Sequence, residues 1–313
     1  MKKNNKINDA LLCLLVSSLS IFMPDSAIGE EPKDRQIGGK NCSDCVLNMS
    51  HHDKYNIDRS FKDDGIMIVI HKATQGQSID GKYALKSPQA FKAGLGWGAY
   101  HFASYEGFDN ESNGFRNDPI KQARVFVATM LKYRQPNQKY VLPVFDLEAY
   151  TLNGKDGVHM SLHGACASIE EIHRLTGVWP GFYTGSYFTK EKLNGKVLAK
   201  LYDPQNATQI KRTLSNCWLW IAQYDNHPEN PQLPQGAPWK EWTMWQYTTN
   251  INELKDLKIV PSPLHRHFVG KTSGELNYLA ANRKDVDQWI IEHSWGFELK
   301  APLDNNKTTN KVE

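Results

Sequence analysis

The sequence predicts an α/β domain built as a barrel of eight strands with an incomplete ring of helices. About 260 residues lie between a polar N-terminal stretch and a polar C-terminal stretch, close to the ~250 residues of an α/β barrel. Short, continuously apolar runs alternate with helical patterns in the first half of the chain, as is typical of a buried parallel sheet. Later in the chain, loops rich in Pro and Asn replace most of the helices. The ring of helices is therefore expected to stop early.

The predicted strands are short and apolar, and the eighth is the weakest. They cover residues 45–50, 66–71, 97–102, 140–145, 178–183, 218–223, 243–247 and approximately 268–277. A helix is predicted over 119–133, because Asp118 is placed to cap it and Pro119 suits its first position. A second helix is predicted over 161–176, closed by Gly177, and a third over 189–202.

The N-terminal residues predict a secretory signal peptide over 1–29. Three lysines precede an apolar stretch, and Ala27-Ile28-Gly29 provides small residues for cleavage. The apolar stretch is shorter than the roughly 20 residues that cross a membrane, so no integral membrane segment is expected in the mature chain. An uncleaved N-terminal anchor is the alternative. A linker over 30–40, a barrel domain over 41–299 and a disordered tail over 300–313 are expected to follow.

Charge and cysteine content restrict the kinds of partner. A formal net charge of +3 without a long Lys/Arg run argues against nucleic acid. Four cysteines remain after the signal peptide, and disulfide bonds are expected in an oxidising compartment, with three pairings open. They are Cys42, Cys45, Cys166 and Cys217. The Cys42 to Cys45 spacing also fits a redox motif, but it precedes a strand rather than opening a helix.

Asp146 and Glu148 directly follow the apolar run 140–145. Residues i and i+2 of a strand point to the same face, with Cα atoms roughly 6.7 Å apart, so both carboxyl groups can reach one bond. The C-terminal ends of barrel strands carry the chemistry. Hydrolysis of a sugar linkage needs one protonated and one ionised carboxyl group. An ordinary acidic loop after a strand is the alternative interpretation.

Other strand ends combine aromatic with hydrogen-bonding residues. Such a mixture suits a sugar, which offers C–H faces for stacking and hydroxyl groups at its rim. The segments are Ser50-His51-His52, residues 71–76 and 98–102, Tyr183-Thr184-Gly185, residues 222–225 and Trp245-Gln246-Tyr247. Each segment alone is weak evidence, because a buried Tyr or Trp is more often part of the core. Their recurrence where barrel strands should end predicts a glycan groove.

These residues, in this order, resemble the family 25 glycoside hydrolases, the Chalaropsis-type lysozymes, over roughly residues 46–292. The collinear segments are Met49-Ser50-His51-His52, Ile70-His71-Lys72-Ala73-Thr74-Gln75-Gly76, Ala93-Gly94-Leu95, Gly98-Ala99-Tyr100-His101-Phe102, Asp146-Leu147-Glu148, residues 219–224 and Trp245-Gln246-Tyr247. The resemblance implies an irregular TIM-like barrel of five βα units followed by three strands. It implies hydrolysis of the β-1,4 bond between N-acetylmuramic acid and N-acetylglucosamine in peptidoglycan, in the periplasm or outside the cell, without a cofactor.

The resemblance also implies roles for individual residues. Glu148 is expected to be the general acid, with Asp146 as its partner at the anomeric centre. Whether Asp146 attacks directly or orients the N-acetyl group of the substrate stays open. Lys72 is expected to pair with the acidic cluster and hold Asp146 ionised. The residues expected to line the glycan groove are Tyr100, His101, Tyr183, Tyr224, Trp245 and Gln246.

Two substrate-site positions depart from the family pattern. Asn48 stands where the family usually has Asp, and Glu275 stands where a late Asp is usual. Asn48 keeps the shape and hydrogen-bonding reach of Asp without its charge, whereas Glu275 keeps the charge on a longer side chain. The departure supports an alternative function, a glycan-binding protein with weak or lost catalysis.

A third interpretation is a metal-dependent deacetylase or amidase. It would use His51, His52 and Asp53, with His71 and His101 as further candidates. Adjacent strand residues point to opposite faces, so His51 and His52 cannot easily bind one ion. No metal is therefore expected.

Overall fold

The computed structural model describes residues 42–105, 117–152, 155–185, 204–224, 231, 233, 238–248, 265–268 and 274–303. The expected signal peptide (1–29), linker (30–40) and helix 189–202 lie outside the described residues, as does the chain beyond residue 303. No helix within the described ranges has the length and apolar character needed to cross a membrane.

Eleven strands are present within the described residues. In chain order they are β1 (Cys42–Met49), β2 (Ile68–Gln75), β3 (Ser78–Ile79), β4 (Gly96–Phe102), β5 (Leu142–Asp146), β6 (Tyr150–Leu152), β7 (Lys155–Val158), β8 (Gly181–Gly185), β9 (Leu219–Ala222), β10 (Met244–Gln246) and β11 (Glu275–Leu279). Eight of them close into a barrel in the order β1, β2, β4, β5, β8, β9, β10, β11. The pairing of β1 with both β11 and β2 closes the ring. Neighbouring strands are parallel except around β11, which runs antiparallel to both β10 and β1.

The helices are α1 (Arg59–Asp63), α2 (Tyr83–Ala93), α3 (Pro119–Lys132), α4 (Leu162–Thr176), α5 (Pro204–Ser215), α6 (His265–Phe268) and α7 (Val286–His293), with a 3₁₀ turn at Arg283–Asp285. Helices α1 to α5 follow the first five barrel strands, and the last three barrel strands come after them. The predicted irregular TIM-like barrel, with five βα units and then three strands, is therefore confirmed.

Helices α3 and α4 end within one residue of their predicted bounds, because their capping signals act as expected. Asp118 accepts hydrogen bonds from the backbone N–H groups of Ile120 (2.8 Å) and Lys121 (3.4 Å). Gly177 ends α4 in the left-handed region at φ +75°. Helix α2 escaped prediction because Pro88 lies inside it.

Alternation along the strands separates two apolar clusters. Inward residues such as Val46, Ile70, Val144 and Met244 form the lower interior of the barrel, with Ile290 of α7 packed against them. Outward residues pack against the helices; they include Leu47, Val69, Phe145, Phe182 and Ile221. The inward positions above the apolar layer are polar: Asn48, Lys72, Asp146 and Gln246. The interior is therefore a packed core with a polar layer at its upper rim.

The expected disulfides are absent from the structure. Cys42, Cys45, Cys166 and Cys217 are all buried free thiols. The Cys45 thiol donates to the backbone oxygen of Cys42 at 3.0 Å, so these two lie together in β1. The thiol of Cys166 in α4 is close enough to Cys217 to add to the effect of burial, which raises the pKa of Cys217.

The beginning of the predicted tail is packed against the barrel domain. The backbone N–H of Lys300 donates to the backbone oxygen of Leu175 at 2.8 Å, and Leu303 packs against the outer core cluster. Ordered structure therefore extends past residue 299, to at least residue 303.

Candidate active site

A pocket of ≈ 300 Å³ opens at the rim where the parallel strands end. It is lined by Asn48, Tyr100, Asp146, Glu148, Tyr183, Trp220, Tyr224, Gln246 and Glu275. Because β11 is antiparallel, its first residue, Glu275, meets the C-terminal ends of the parallel strands. The pocket therefore lies where α/β barrels place their chemistry.

The two predicted catalytic carboxyl groups both line this pocket. Asp146 ends β5, and its backbone oxygen accepts from Ala103 N at 2.9 Å. Leu147 N donates to the backbone oxygen of Tyr183 at 2.9 Å, and the Leu147 side chain is buried in the outer core. Glu148 therefore returns to the pocket side, as the i, i+2 spacing predicted.

Burial controls the ionisation of this pair. It raises the pKa of Asp146 well above its usual range, with repulsion from Glu148 adding to the effect and Lys72 opposing it. Burial likewise raises the pKa of Glu148 to about 7, again against the influence of Lys72. Two coupled carboxyl groups that both resist ionisation retain a proton near neutral pH. Asp146 Oδ1 is buried and has no hydrogen-bond partner among the described residues, which disfavours its ionised form.

Lys72 acts on the pair through its positive charge, without an ion pair to either carboxylate among the described residues. Its Nζ lies 3.2 Å from Gln75 Oε1 and 3.9 Å from Asp80 Oδ2. Among the described residues, the carboxylate nearest to Lys72 Nζ is that of Asp80, whereas the expectation was a pairing with the acidic cluster that holds Asp146 ionised. Burial lowers the pKa of Lys72, while the surrounding carboxylates raise it, and Asp146 contributes more than Glu148. Lys72 therefore opposes the effect of burial at both Asp146 and Glu148.

The two positions that depart from the family pattern contact each other. Asn48 Nδ2 donates to Glu275 Oε2. Burial raises the pKa of Glu275 to about 8, and the nearby Asp53 and Glu148 add to the shift. The amide of Asn48 and the charge of Lys72 act in the opposite direction. Glu275 is therefore mostly neutral at pH 7.

Aromatic side chains form one wall of the pocket. The hydroxyl oxygens of Tyr183 and Tyr224 are 3.3 Å apart. The Tyr183 ring meets the Trp220 ring edge-on, with centroids 4.9 Å apart at 74°. Trp220 was not among the predicted site residues. Strand alternation could have identified it, because it is an inward position near the end of β9.

His101 and Trp245 were predicted to line the groove, but the structure places both behind the barrel wall. His101 is fully buried beside Phe126 and Phe145, with Nδ1 2.7 Å from Thr74 Oγ1. The indole of Trp245 donates to the backbone oxygen of Gln223 at 3.0 Å. His101 follows the pocket residue Tyr100 on β4, and Trp245 precedes the pocket residue Gln246 on β10, so each faces the opposite side of its strand.

The histidines considered as metal ligands have other contacts. His51 Nδ1 lies 2.7 Å from Asp80 Oδ2, and His71 Nδ1 lies 2.7 Å from the backbone oxygen of Lys72. Burial lowers the pKa of His71 to about 4 and that of His101 to about 3. Across the described part of the chain, no group of three or more His, Cys, Asp or Glu could hold a metal ion.

Solved structures with the same fold share low sequence identity with this chain. A muramidase from Acremonium alcalophilum is 20% identical, with a TM-score of 0.53, covering 78% of this chain and 97% of its own. A bacterial lysozyme from Streptomyces coelicolor is 17% identical, with a TM-score of 0.54 and coverages of 82% and 98%. A family 25 lysozyme from Aspergillus fumigatus is 20% identical, with a TM-score of 0.50 and coverages of 80% and 97%.

No curated protein matches the chain significantly. The family model described as "Glycosyl hydrolases family 25" matches residues 48–255, which is about two thirds of the sequence. This range includes the carboxyl pair, the rim residues of the parallel strands and Asn48. With the barrel and the pocket at its C-terminal rim, the match shows that the chain belongs to family 25 of the glycoside hydrolases.

Proposed function

We propose that this glycoside hydrolase is a secreted lysozyme that cleaves the β-1,4 bond between N-acetylmuramic acid and N-acetylglucosamine in peptidoglycan. The observation that carries the proposal is the pair Asp146 and Glu148 at the end of β5, whose carboxyl groups both line the pocket and both have raised pKa values. Family membership and the lysozymes and muramidases among the structures of the same fold support it.

In this mechanism Glu148 is the general acid. Its pKa of about 7 keeps a substantial part of it protonated near neutral pH, so it can donate a proton to the leaving glycosidic oxygen. The pair shares one proton, which the mechanism places on Glu148, so Asp146 acts as the ionised partner; Lys72 favours its ionised form against burial and repulsion from Glu148. The Asp146 carboxylate stabilises the positive charge that develops at the anomeric carbon.

The remaining pocket residues provide a surface for the sugar. Tyr100, Tyr183, Trp220 and Tyr224 offer aromatic faces and hydroxyl groups, and Gln246 and Asn48 add amide groups. Lys72 acts from the adjacent interior through its charge. His101 and Trp245 support the wall from its outer side.

The test is digestion of purified peptidoglycan by residues 30–313, with the soluble products identified by mass spectrometry. The wild type is expected to release fragments with reducing N-acetylmuramic acid ends. Glu148→Gln is expected to lose roughly 10²–10⁴-fold in rate, because it cannot donate the proton. Glu292→Gln makes the same chemical change on the exposed surface of α7 and should remain active.

Three other outcomes would change the assignment. Reducing N-acetylglucosamine ends would mean that the other glycan bond is cleaved. Equal activity of Glu148→Gln and wild type would remove Glu148 from catalysis. Retention on insoluble glycan without any soluble product would favour the alternative, a glycan-binding protein, which the loss of charge at Asn48 also favours.

The proposal includes export through a signal peptide over 1–29, with action in the periplasm or outside the cell. In an oxidising compartment two disulfides would form, Cys42 with Cys45 and Cys166 with Cys217, because these thiols are neighbours in the fold. Each bond requires removal of two electrons and two protons by a disulfide-donating oxidant.

A further inference from the structure

A chain of hydrogen bonds runs from the barrel interior to the Glu275 carboxyl group. Trp220 Nε1 donates to Asn277 Oδ1 at 2.8 Å. Asn277 Nδ2 donates to Asn48 Oδ1 at 2.9 Å and to the backbone oxygen of Val46 at 3.1 Å. Asn48 Nδ2 then donates to Glu275 Oε2. Three strands, β9, β11 and β1, therefore contribute to a single polar path that ends in the pocket.

The donor and acceptor capacities of these side chains fix the direction of each hydrogen bond along this path. An indole N–H can only donate, so the atom of Asn277 that meets Trp220 must be its oxygen. The amide nitrogen of Asn277 then faces Asn48, so the amide oxygen of Asn48 must accept this hydrogen bond. Only the Asn48 nitrogen is left for Glu275. Glu275 Oε2 is consequently an acceptor, whichever protonation state the carboxyl group has.

The second carboxyl oxygen has a different surrounding. Glu275 lines the pocket, and Oε1 has no hydrogen bond within the part of the chain that the structure describes. The charged and titratable groups that act on Glu275 or are acted on by it are Asp53, Tyr55, Lys72, Tyr100, Asp146 and Glu148. Burial outweighs Lys72 and Asn48 and raises the pKa of Glu275 to about 8. Because Oε2 accepts from Asn48, the proton is carried by Oε1.

We propose that Trp220, Asn277 and Asn48 are positioning residues that orient the buried Glu275 carboxyl group, with Oε2 accepting from Asn48 and Oε1 directed as a hydrogen-bond donor to an acceptor oxygen of the bound sugar. The proposal rests on the proposed function only in taking a glycan as the ligand. It assigns Glu275 a task that differs from that of the carboxyl pair on β5. A neutral acid at this position binds the sugar and leaves the charge of the pocket unchanged.

Substitution by glutamine provides a sharp test, because the side chain of Gln copies the protonated acid. Its carbonyl oxygen can accept from Asn48, and its nitrogen can donate into the pocket at any pH. Glu275→Met has a similar length but cannot donate. Both changes are made in a Glu148→Gln background, so that binding is measured without turnover. The probe is soluble glycan strands from purified peptidoglycan, and the readout is Kd by calorimetry at pH 6 and pH 9.

In the Glu148→Gln parent we expect Kd to rise about tenfold or more between pH 6 and pH 9. At a pKa of about 8, about one Glu275 in ten stays protonated at pH 9, and loss of the Glu148 charge, which adds to that pKa, lowers this fraction further. Adding Glu275→Gln should keep Kd at pH 6 within about threefold of the value for the Glu148→Gln parent. It should also abolish the part of the pH dependence of Kd that is due to titration of Glu275. Adding Glu275→Met should weaken binding about tenfold or more at pH 6. Three results would overturn the proposal. They are an equal pH dependence of Kd with and without Glu275→Gln, an equal affinity of the Gln and Met variants, and no binding of the glycan strands.

The positioning residues are tested by a substitution that exchanges donor and acceptor in the hydrogen bonds between residue 277, Asn48 and Glu275. In Asn277→Asp the oxygen that faces Asn48 cannot donate, so the Asn48 amide turns over and offers its oxygen to Glu275. Glu275 must then donate to Asn48 and present an acceptor to the sugar, and affinity at pH 6 should fall about tenfold. If a buried charge at this position prevents folding, Trp220→Phe removes the first donor and should weaken binding and shift the pH midpoint. Unchanged affinity and midpoint in the folded variant would contradict the positioning role.

A failure of the proposed function gives a different result from a failure of this proposal. If wild-type protein releases no fragments from peptidoglycan but the binding pattern of the Gln and Met variants holds, catalysis is wrong and the role of Glu275 stands. If fragments are released but the binding pattern fails, the lysozyme stands and Glu275 has no donor role.

Discussion

Lys72 Nζ lies 3.9 Å from Asp80 Oδ2, so Asp80 holds a buried cation within electrostatic reach of Asp146 and Glu148. Lys72 lowers the pKa of both Asp146 and Glu148 against the larger effect of burial. The cation therefore sets the pH range in which one carboxyl group is ionised while the other is protonated.

Replacing this cation should move the whole pH profile. Lys72→Met removes a charge that stabilises both carboxylates, so both pKa values rise and the optimum of kcat/KM shifts upward by about one pH unit. Lys72→Arg keeps the charge and is the control, with a smaller shift expected. The measurement is kcat/KM from pH 4 to 9 on soluble glycan. An unshifted optimum in Lys72→Met would show that Lys72 does not act on the pair.

The wild-type profile itself should be bell-shaped and displaced from that of exposed carboxyl groups. In the proposed mechanism the pair must hold one proton, so activity falls at high pH once both groups are ionised, and burial moves this limb upward by raising both pKa values. Activity also requires one ionised carboxylate, so it falls at low pH when both groups are protonated. Because the pKa of Asp146 is raised, this acidic limb should lie above the ordinary aspartate value of about 3.9. An acidic limb below pH 3.5 would contradict the effect of burial on the pair.

Residues on opposite sides of the barrel wall should respond differently to substitution. Trp245→Phe loses the hydrogen bond to the Gln223 backbone oxygen and should lower the free energy of unfolding by about 1–3 kcal/mol, with kcat/KM nearly unchanged. Tyr183→Phe removes a hydroxyl group from the pocket and should mainly raise KM. Thermal unfolding and steady-state kinetics measure the two effects. A large kinetic loss in folded Trp245→Phe would place this indole in the glycan site after all.

The buried acid on β11 should cost stability at alkaline pH. The pKa of Glu275 is raised in the folded protein, so its stabilising contribution is present below the unfolded value near 4.5 and is lost as the pH rises through about 8. Relative to wild type, Glu275→Gln should therefore gain stability between these pH values, by at most about 5 kcal/mol at about 1.4 kcal/mol per pKa unit. Chemical denaturation at pH 5 and pH 9 measures the difference. An equal difference at both values would mean that Glu275 titrates normally.

Cysteine connectivity is testable without any assay of activity. Protein recovered from an oxidising compartment, alkylated without reduction and digested, should give two linked pairs by mass spectrometry, Cys42 with Cys45 and Cys166 with Cys217. Cys166→Ser should free Cys217 and leave the other link intact. Links between the two pairs would contradict the arrangement in the fold, and four alkylated cysteines would mean that both pairs stay reduced.

Local patterns along the sequence were sufficient for much of this fold. The end of β5 was predicted with both carboxyl groups on one face, and α3 and α4 were predicted from their caps, because these signals act over a few residues. Helix α2 was missed because Pro88 argues against a helix locally, whereas packing on the barrel stabilises it.

The site was harder to predict than the fold, because it depends on which face of each strand is inward. Gln246 lines the pocket while Trp245 does not, and Tyr100 lines it while His101 does not. Strict use of the two-residue period would have separated these pairs and found Trp220. The contact between Asn48 and Glu275 joins residues 227 positions apart, and no local pattern indicates it.

The antiparallel direction of β11 also bears on how the protein is made. Synthesis proceeds from the N-terminus, so Asp146 and Glu148 leave the ribosome long before Glu275. Until residues 275–279 have been added and paired, β1 lacks one of its two neighbours and the ring stays open. A chain interrupted after β10 therefore has both carboxyl groups but no complete pocket. Closure of the ring and completion of the pocket by Glu275 therefore both depend on the last strand of the barrel to be synthesised.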